Sequence, residues 1–295
     1  MPHAAEPVEE TVLAAPCKIN LHLRILGRRE NGYHDLETLF FPLPEPADEL
    51  FVRRFAKGSG LVLRCCEPAL SGPDNLVARA YRAFKDKTGF APSLDVCLDK
   101  RIPAGSGLGG ASSDAARMLA YLNERAPVPL GPDELRAIGA RLGADVPFFL
   151  QDGPALARGI GDELSPADVR LSGYALVLVC PEERVSTAWA YTAYDEATRG
   201  VGFEPESLLT SVFRRNIGPF CVTGLPLSNS FERVVFAALP ELRRLKETLF
   251  FLGAGAVALS GSGSAMFGLF RDRERARQAL AALVRHGVET WLVLF

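Results

Sequence analysis

The chain has 295 residues, 48% of them hydrophobic and 23% charged, a balance that excludes disorder for most of its length and leaves room for one large domain or two modest ones. Lys and Arg number 33 against 35 Asp and Glu, a net charge of −2, so no global field holds nucleic acid or an anionic membrane and any anion must be gripped locally. The longest apolar run, Tyr174 to Cys180, falls far short of the ~18 residues a bilayer span needs.

In chain order, the acidic opening MPHAAEPVEE lacks an apolar stretch and reads as a disordered lead over residues 1–12, not as a secretory signal. Cys17 to Ile25 alternates with period two. Ile19, Leu21, Leu23 and Ile25 share one face, and Lys18, Asn20, His22 and Arg24 the other. Asn31-Gly32 marks a turn, and Leu36–Leu43, Glu49–Phe55 and Leu61–Cys65 read as strands. Asp74 opens a helix through Leu76, Val77, Ala80, Tyr81 and Phe84 that Gly89 ends. Ser93–Asp99 returns to strand. A glycine-rich loop then feeds a helix starting near Ser112, with Ala115, Met118, Leu119 and Leu122 inward. Pro132 starts another helix, stopped by Gly143, and a short loop leads to Phe148-Phe149-Leu150. Gln151–Ser172, rich in Gly and Pro, is the expected junction between domains 13–160 and 161–295. Beyond it come a buried strand at Tyr174–Cys180, a strand-loop-strand at Ala256–Phe270, a helix at Arg271–His286 and a last strand at Thr290–Phe295. Strands followed by mixed units predict an α+β protein.

The six cysteines, Cys17, Cys65, Cys66, Cys97, Cys180 and Cys221, form no C-x-x-C pair and have no zinc-spaced His. They read as small core residues in a reducing cytoplasm. Basic runs never exceed two residues, which argues against a nucleic-acid partner.

The most informative segment is Gly105-Ser106-Gly107-Leu108-Gly109-Gly110-Ala111-Ser112-Ser113-Asp114. Four glycines in six positions cost backbone entropy. A loop of bare amides feeding a helix N-terminus recovers it by cradling phosphate. The plainer reading makes Ser112 or Ser113 a helix cap, but a cap needs one Ser and not four glycines. Gly105 to Gly110 fits G-x-G-x-x-G literally, yet no strand runs straight into the first glycine. No Lys follows Gly110 as a Walker loop requires.

Pro103 to Ser113 instead resembles the ATP loop of the GHMP small-molecule kinases, P-x-G-x-G-L-G-(G/S)-(G/A)-S-S. Ala15-Pro16-Cys17-Lys18-Ile19-Asn20-Leu21 resembles that superfamily's Lys-bearing strand, and Leu259-Ser260-Gly261-Ser262-Gly263-Ser264 its late glycine loop. From about Ala14 onward the chain is most similar to the branch whose acceptor is a methylerythritol linked to cytidine diphosphate. The blocks are Gly27 to Phe40 (G-R-R-E-N-G-Y-H-D-L-E-T-L-F), Gly143 to Phe149 (G-A-D-V-P-F-F) and Asn229-Ser230-Phe231-Glu232. Cys17, Asn31, Ser106 and Ala111 depart from the branch's usual residues without touching a group the chemistry requires.

The resemblance implies a two-domain GHMP kinase fold, with an N-terminal domain like ribosomal S5 domain 2 and a ferredoxin-like C-terminal domain. It implies ATP and Mg²⁺, a small-molecule acceptor, and a cytoplasmic monomer or weak homodimer without nucleic-acid or membrane partner. ATP would lie on Pro103, Ala104, Gly105, Ser106, Gly107, Leu108, Gly109, Gly110, Ala111, Ser112 and Ser113, with Ser113 a metal ligand. Asp145, by itself equally a turn former, becomes the base. Lys18, by pattern a solvated strand residue, becomes its partner. Tyr33, His34, Thr187 and Tyr191, otherwise ordinary packing residues, and Asn20 become acceptor contacts, and Lys100 lies near the adenosine. Homoserine or mevalonate as acceptor, and a nucleotide sensor without catalysis, are the competing readings.

Overall fold

The computed structural model describes residues 6–199, 220–221 and 227–295. They pack as two compact units that interleave along the sequence. The first comprises Met1–Cys17, Pro46–Ala104 and Gly109–Asp152, and the second Lys18–Glu45, Gly105–Leu108 and Gly153–Phe295. The main change of unit, at Asp152/Gly153, falls in the stretch expected as a junction. A single cut at 160/161 does not describe the rest.

In the first unit, β3 (Gly60–Cys65) lies parallel to β4 (Ser93–Asp99), and β4 is antiparallel to Glu49–Phe55 of β2 (His34–Phe55). Parallel neighbours need a crossover, and α1 (Leu76–Thr88) supplies it. Leu94, Val96 and Leu98 face inward as their alternation predicts. They meet Val77, Ala80 and Phe84 of α1 and Met118, Leu119 and Leu122 of α2 (Gly110–Arg125). α3 (Pro132–Leu142) adds Leu135 and Ile138 to this core. The cap of α1 is Asn75, not Asp74: its side chain accepts the Val77 N–H at 2.8 Å, and Gly89 closes the helix at φ 74°.

Two strand expectations change. β1 (Glu9–Arg28) starts inside the stretch read as a disordered lead. Val8 N–H bonds the Arg54 carbonyl at 2.8 Å, and the Glu9 carboxylate pairs with Arg54 and Arg125, so this acidic segment is held by partners far along the chain. β2 runs unbroken through Pro42, Pro44 and Pro46. At period two their missing donors all face one edge. The pairings of β2 with β5 (Ala155–Arg158) and with β4 cover Thr38–Phe40 and Glu49–Phe55, so none of these prolines interrupts either ladder.

In the second unit, His34 onward in β2 pairs with β5, which pairs with β6 (Glu163–Pro166). These strands, with β7 (Val169–Arg170), occupy the supposed linker. The other sheet contains β8 (Ala175–Cys180), β10 (Ala256–Leu259), β11 (Met266–Phe270) and β12 (Glu289–Leu294) in the order β12-β8-β11-β10, all antiparallel neighbours. That is the 4-1-3-2 order of a ferredoxin-like layer. Between β8 and β10 come α4 (Thr187–Thr198), β9 (Phe220–Cys221), α5 (Glu232–Ala238) and α6 (Pro240–Phe251), and α7 (Arg273–Arg285) follows β11. β8 is buried at every position, as a central strand should be.

Of the cysteines, Cys17 and Cys180 are buried, but Cys66 and Cys97 are exposed and Cys65 half-buried, so the core reading holds for only part of the set. Cys66 and Cys97 sit at a strand end and on an outward position where period two, not residue type, decides the side. The side chain of Cys221 lies outside the described residues. Among the described residues no helix is long and apolar enough to cross a membrane.

Candidate active site

In the first unit the glycine loop ends in α2. The helix begins at Gly110, two residues earlier than expected, with Gly109 at φ 76° before it and no side-chain cap. The first intrahelical bond runs from Ser113 N–H to the Gly109 carbonyl at 2.9 Å, so the amides of Gly110, Ala111 and Ser112 precede the ladder. Ser112 and Ser113 therefore sit within the first turn and cap nothing. Ser113 is fully buried, and its hydroxyl finds no hydrogen-bond partner among the described residues.

Asp145, half-buried, rides the loop from Gly143 to Pro147, which a Val146 N–H to Gly143 carbonyl bond of 3.1 Å tightens. A Cβ on Gly143 would lie 3.7 Å from Ser112 Oγ, so this loop rests on the first turn of α2. The unit thus brings the loop that carries Asp145 against the first turn of a helix whose first three amides precede its hydrogen-bond ladder. Pro103 and Ala104 lead into the loop, half-buried and exposed. Lys100 is turned inward: its ammonium bonds Asp48 and, at 2.8 Å, Asp114. Burial works against the lysine's charge, but Asp114 and Asp48 outweigh it and hold its pKa above the usual value. Burial pushes the Asp114 carboxyl up to about 7, Asp48's charge adds to that, and Lys100 opposes it. One ammonium cannot neutralise two buried carboxylates.

In the second unit Lys18, Asn20 and His22 are buried, not solvated. Both faces of β1 are covered here, which alternation alone cannot reveal. Lys18 Nζ donates to Asn20 Oδ1 at 2.7 Å and to the Gly107 carbonyl at 2.9 Å. Asn20 Nδ2 donates to Thr38 Oγ1 at 2.7 Å, and Thr38 donates to the His22 carbonyl at 2.7 Å. Ser260 Oγ accepts the Asn20 N–H and donates to the Gly107 carbonyl, each at 3.2 Å. The ammonium is thereby held in one orientation.

Residues 105–108 interlock with the late glycine loop. Ser106, buried, accepts the Ala265 N–H at 3.0 Å, and the Leu108 carbonyl accepts the Lys18 N–H at 3.0 Å. A Cβ on Gly107 would stand 2.2 Å from the Ser260 carbonyl oxygen, so glycine is required there by backbone approach as well as by φ. Gly105 lies against Arg184. Asn229 Nδ2 donates to the carbonyls of Leu259 and Gly261 at 2.9 and 2.8 Å, and Glu232 Oε1 accepts the Leu259 N–H at 3.0 Å. The N-x-F-E block is thus the brace of that loop.

His34 is buried and stacks on Tyr191, with centroids 4.6 Å apart and planes 17° from parallel. Its Nε2 lies 2.7 Å from Asp195 Oδ1, and Arg28 pairs with the other oxygen at 3.2 Å. No base fits between His34 and Tyr191 as they stand. Tyr33, 60% exposed, presents its ring to solvent. Thr187 Oγ1 lies 2.9 Å from Ser262 Oγ.

Sequence reasoning did not single out Asp48, Thr38, Asp195, Asn229 or Ser260 as functional. Thr38, Asn229 and Ser260 lie inside quoted motifs, so position within a motif was the available signal. Asp48 and Asp195 carry none.

Residues 75–153 match the model of the GHMP kinases N terminal domain, and 214–289 that of the GHMP kinases C terminal. The 4-diphosphocytidyl-2-C-methyl-D-erythritol kinase of Solidesulfovibrio magneticus is 55% identical over 288 residues, 97% of each chain. That of Nitratidesulfovibrio vulgaris is 43% identical over 283 residues, 96% of this chain and 98% of the relative. A crystal structure of 4-(cytidine 5'-diphospho)-2C-methyl-D-erythritol kinase matches with a TM-score of 0.76 and 37% identity over 96% of this chain and 98% of that one. Homoserine kinase from Cytophaga hutchinsonii, with a TM-score of 0.63 and 17% identity over 99% of this chain and 95% of its own, shares the fold. With a GHMP kinase fold in both domains and identity of this extent along nearly its whole length, the chain belongs to the 4-diphosphocytidyl-2-C-methyl-D-erythritol kinase family and is a kinase.

Proposed function

We propose that the protein transfers the γ-phosphoryl group of ATP to the 2-hydroxyl of 4-diphosphocytidyl-2-C-methyl-D-erythritol, a step of non-mevalonate isoprenoid precursor synthesis, in the cytoplasm and as a monomer or weak homodimer. The observation that carries this reading is the Asp145 loop lying on the first turn of α2, where Gly143 approaches Ser112. A phosphoryl cradle and a proton acceptor then belong to one compact unit.

Phosphoryl transfer needs positioning, charge neutralisation and a proton acceptor. In this reading the amides of Gly110, Ala111 and Ser112 and the positive end of α2 grip the phosphates. Asp145 takes the proton of the acceptor hydroxyl. The Lys18 ammonium, oriented by Asn20 and Gly107, favours the ionised carboxylate and stabilises the developing alkoxide. Ser113 Oγ, buried and without a partner among the described residues, suits a hard cation as an oxygen ligand, so the turn fits Mg²⁺ carried by the nucleotide. Such an ion supplies charge neutralisation for the phosphates. The exposed ring of Tyr33 offers a stacking face to cytosine, and His34, Tyr191 and Thr187 build the neighbouring wall.

ADP release with purified 4-diphosphocytidyl-methylerythritol, mevalonate and homoserine tests the reading. Turnover confined to the first acceptor is expected. Comparable turnover with either of the others overturns the acceptor assignment, and ATP binding without turnover on any alcohol overturns catalysis.

A further inference from the structure

Three ionisable side chains cluster at the two ends of the 103–113 loop with almost no access to water. The side chain of Asp48 is 0% exposed, that of Lys100 5% and that of Asp114 3%. The Lys100 ammonium bonds one oxygen of each carboxylate. The remaining oxygen of Asp48 accepts two backbone amides, Arg101 N–H at 2.6 Å and Ile102 N–H at 2.8 Å. The remaining oxygen of Asp114 finds no partner among the described residues. Gly110, the first residue of α2, packs onto this group: a Cβ there would lie 3.1 Å from Asp48 Oδ2 and 3.0 Å from the Ile102 side chain.

As a source of stability the arrangement is poor. Desolvating three charges and leaving an acceptor unfilled costs more than packing apolar side chains of the same volume. Its geometry is specific, however. Asp48 ties down Arg101 and Ile102, the residues immediately before the loop. Asp114 follows Ser113 immediately after it. Both ends of the loop are therefore tied to one ammonium.

We propose that Asp48, Lys100 and Asp114 form a positioning clamp that fixes the entry and exit of the 103–113 loop, so that the amides at the head of α2 are set for phosphate before a nucleotide arrives. In this proposal the clamp acts through the loop, and Lys100, whose ammonium is taken up by Asp48 and Asp114, serves there in place of the adenosine contact that the resemblance implied. It rests on the assignment of that turn to phosphate made above.

The test measures affinity for a non-hydrolysable ATP analogue by calorimetry, without acceptor, together with KM for each substrate and kcat. The variants are Asp48→Ala, Asp48→Asn and Lys100→Met. Asp48→Ala is expected to weaken the nucleotide by about tenfold or more, equivalent to ~1.4 kcal/mol, while KM for the acceptor stays within about twofold. Asp48→Asn keeps an oxygen for the Arg101 and Ile102 amides and is expected to recover much of that loss. Lys100→Met unties both ends and is expected to weaken the nucleotide as well. Nucleotide affinity unchanged in the folded variants, whatever their melting temperatures, overturns the clamp, and so does an equal loss of affinity for both substrates. If Asp48→Ala fails to fold, Asp48→Asn and Lys100→Met decide by the same criterion. Because the calorimetry uses no acceptor, failure to turn over the cytidylyl alcohol leaves this result standing. Failure of the wild type to bind the analogue overturns the loop assignment and the clamp together.

Discussion

Gly107→Ala places a methyl group 2.2 Å from the Ser260 carbonyl oxygen and 3.1 Å from its carbon, on a residue whose φ is +82°. Two penalties follow. The left-handed backbone costs an L-residue ~1–2 kcal/mol. Ordinary contact begins at 3.4 Å, so one backbone must retreat by most of the difference. Overpacking of that kind costs ~1–3 kcal/mol. The sum is ~2–5 kcal/mol. Neither side yields easily, since a Cβ on Gly261 would itself lie 3.0 Å from the Gly107 oxygen. That oxygen also receives Lys18 Nζ and Ser260 Oγ, so its retreat disturbs the orientation of the ammonium. Gly153→Ala is the control: its φ is +77°, but nothing lies within 4 Å, so only the first penalty applies. Urea unfolding is expected to show Gly107→Ala less stable than Gly153→Ala by at least ~1 kcal/mol, with kcat reduced about tenfold or more. Equal unfolding midpoints would refute the packing argument. Full turnover in a destabilised Gly107→Ala would refute the connection from loop to Lys18.

Asp145→Asn is expected to lower kcat by ~10²–10⁴ with little change in nucleotide affinity, and near-normal steady-state turnover would reject Asp145 as the base. The Asp114 carboxyl, raised from 3.8 to about 7, makes the folded state bind a proton more tightly than the unfolded chain. Its contribution to stability is complete below the unfolded value and is lost as pH rises through the folded one, with a slope of at most ~1.4 kcal/mol per pH unit. Asp114→Asn should remove that slope, so the stability difference between wild type and variant should change across this interval. A constant difference in urea unfolding rules the titration out. Tyr33→Ala, at an exposed position, should leave stability within ~0.5 kcal/mol while raising acceptor KM by the equivalent of ~1–3 kcal/mol of stacking. The opposite pattern makes Tyr33 a packing residue.

Local periodicity made β4 and α1 legible, because Leu94, Val96 and Leu98, or Val77, Ala80 and Phe84, each bury a single face, and an unbroken apolar run made β8 legible as a strand buried on both faces. It misjudged Lys18, Asn20 and His22, since a strand covered on both faces can bury polar residues only if distant partners satisfy them. Asn20 finds its partners in Thr38 and Ser260, the latter 240 residues away. The start of α2 was misplaced because serine is the commoner cap, and glycine at φ 76° serves here instead. Of the site, the glycine loop stood out as unusual chemistry in a short segment, whereas Asp145, by itself equally a turn former, was marked only by the resemblance. Asp48 did not stand out: in P-E-P-A-D-E-L nothing distinguishes the carboxylate that accepts the backbone amides of Arg101 and Ile102 from Glu45, or from Glu49, which pairs with the Arg101 side chain instead.

The interleaving of the two units bears on how the nascent chain folds. Lys18–Glu45 belong with Gly153–Phe295, so they leave the ribosome long before the segment that completes their packing. The first unit has all its residues once Asp152 has emerged, and Lys18–Glu45 must then wait as a bight within it. Loop closure adds only ~0.6 kcal/mol per doubling of length, so the wait is paid in folding time more than in final stability. It also means that no gene fragment encodes either unit alone, and scission at 152/153 separates β2 from β5, its partner.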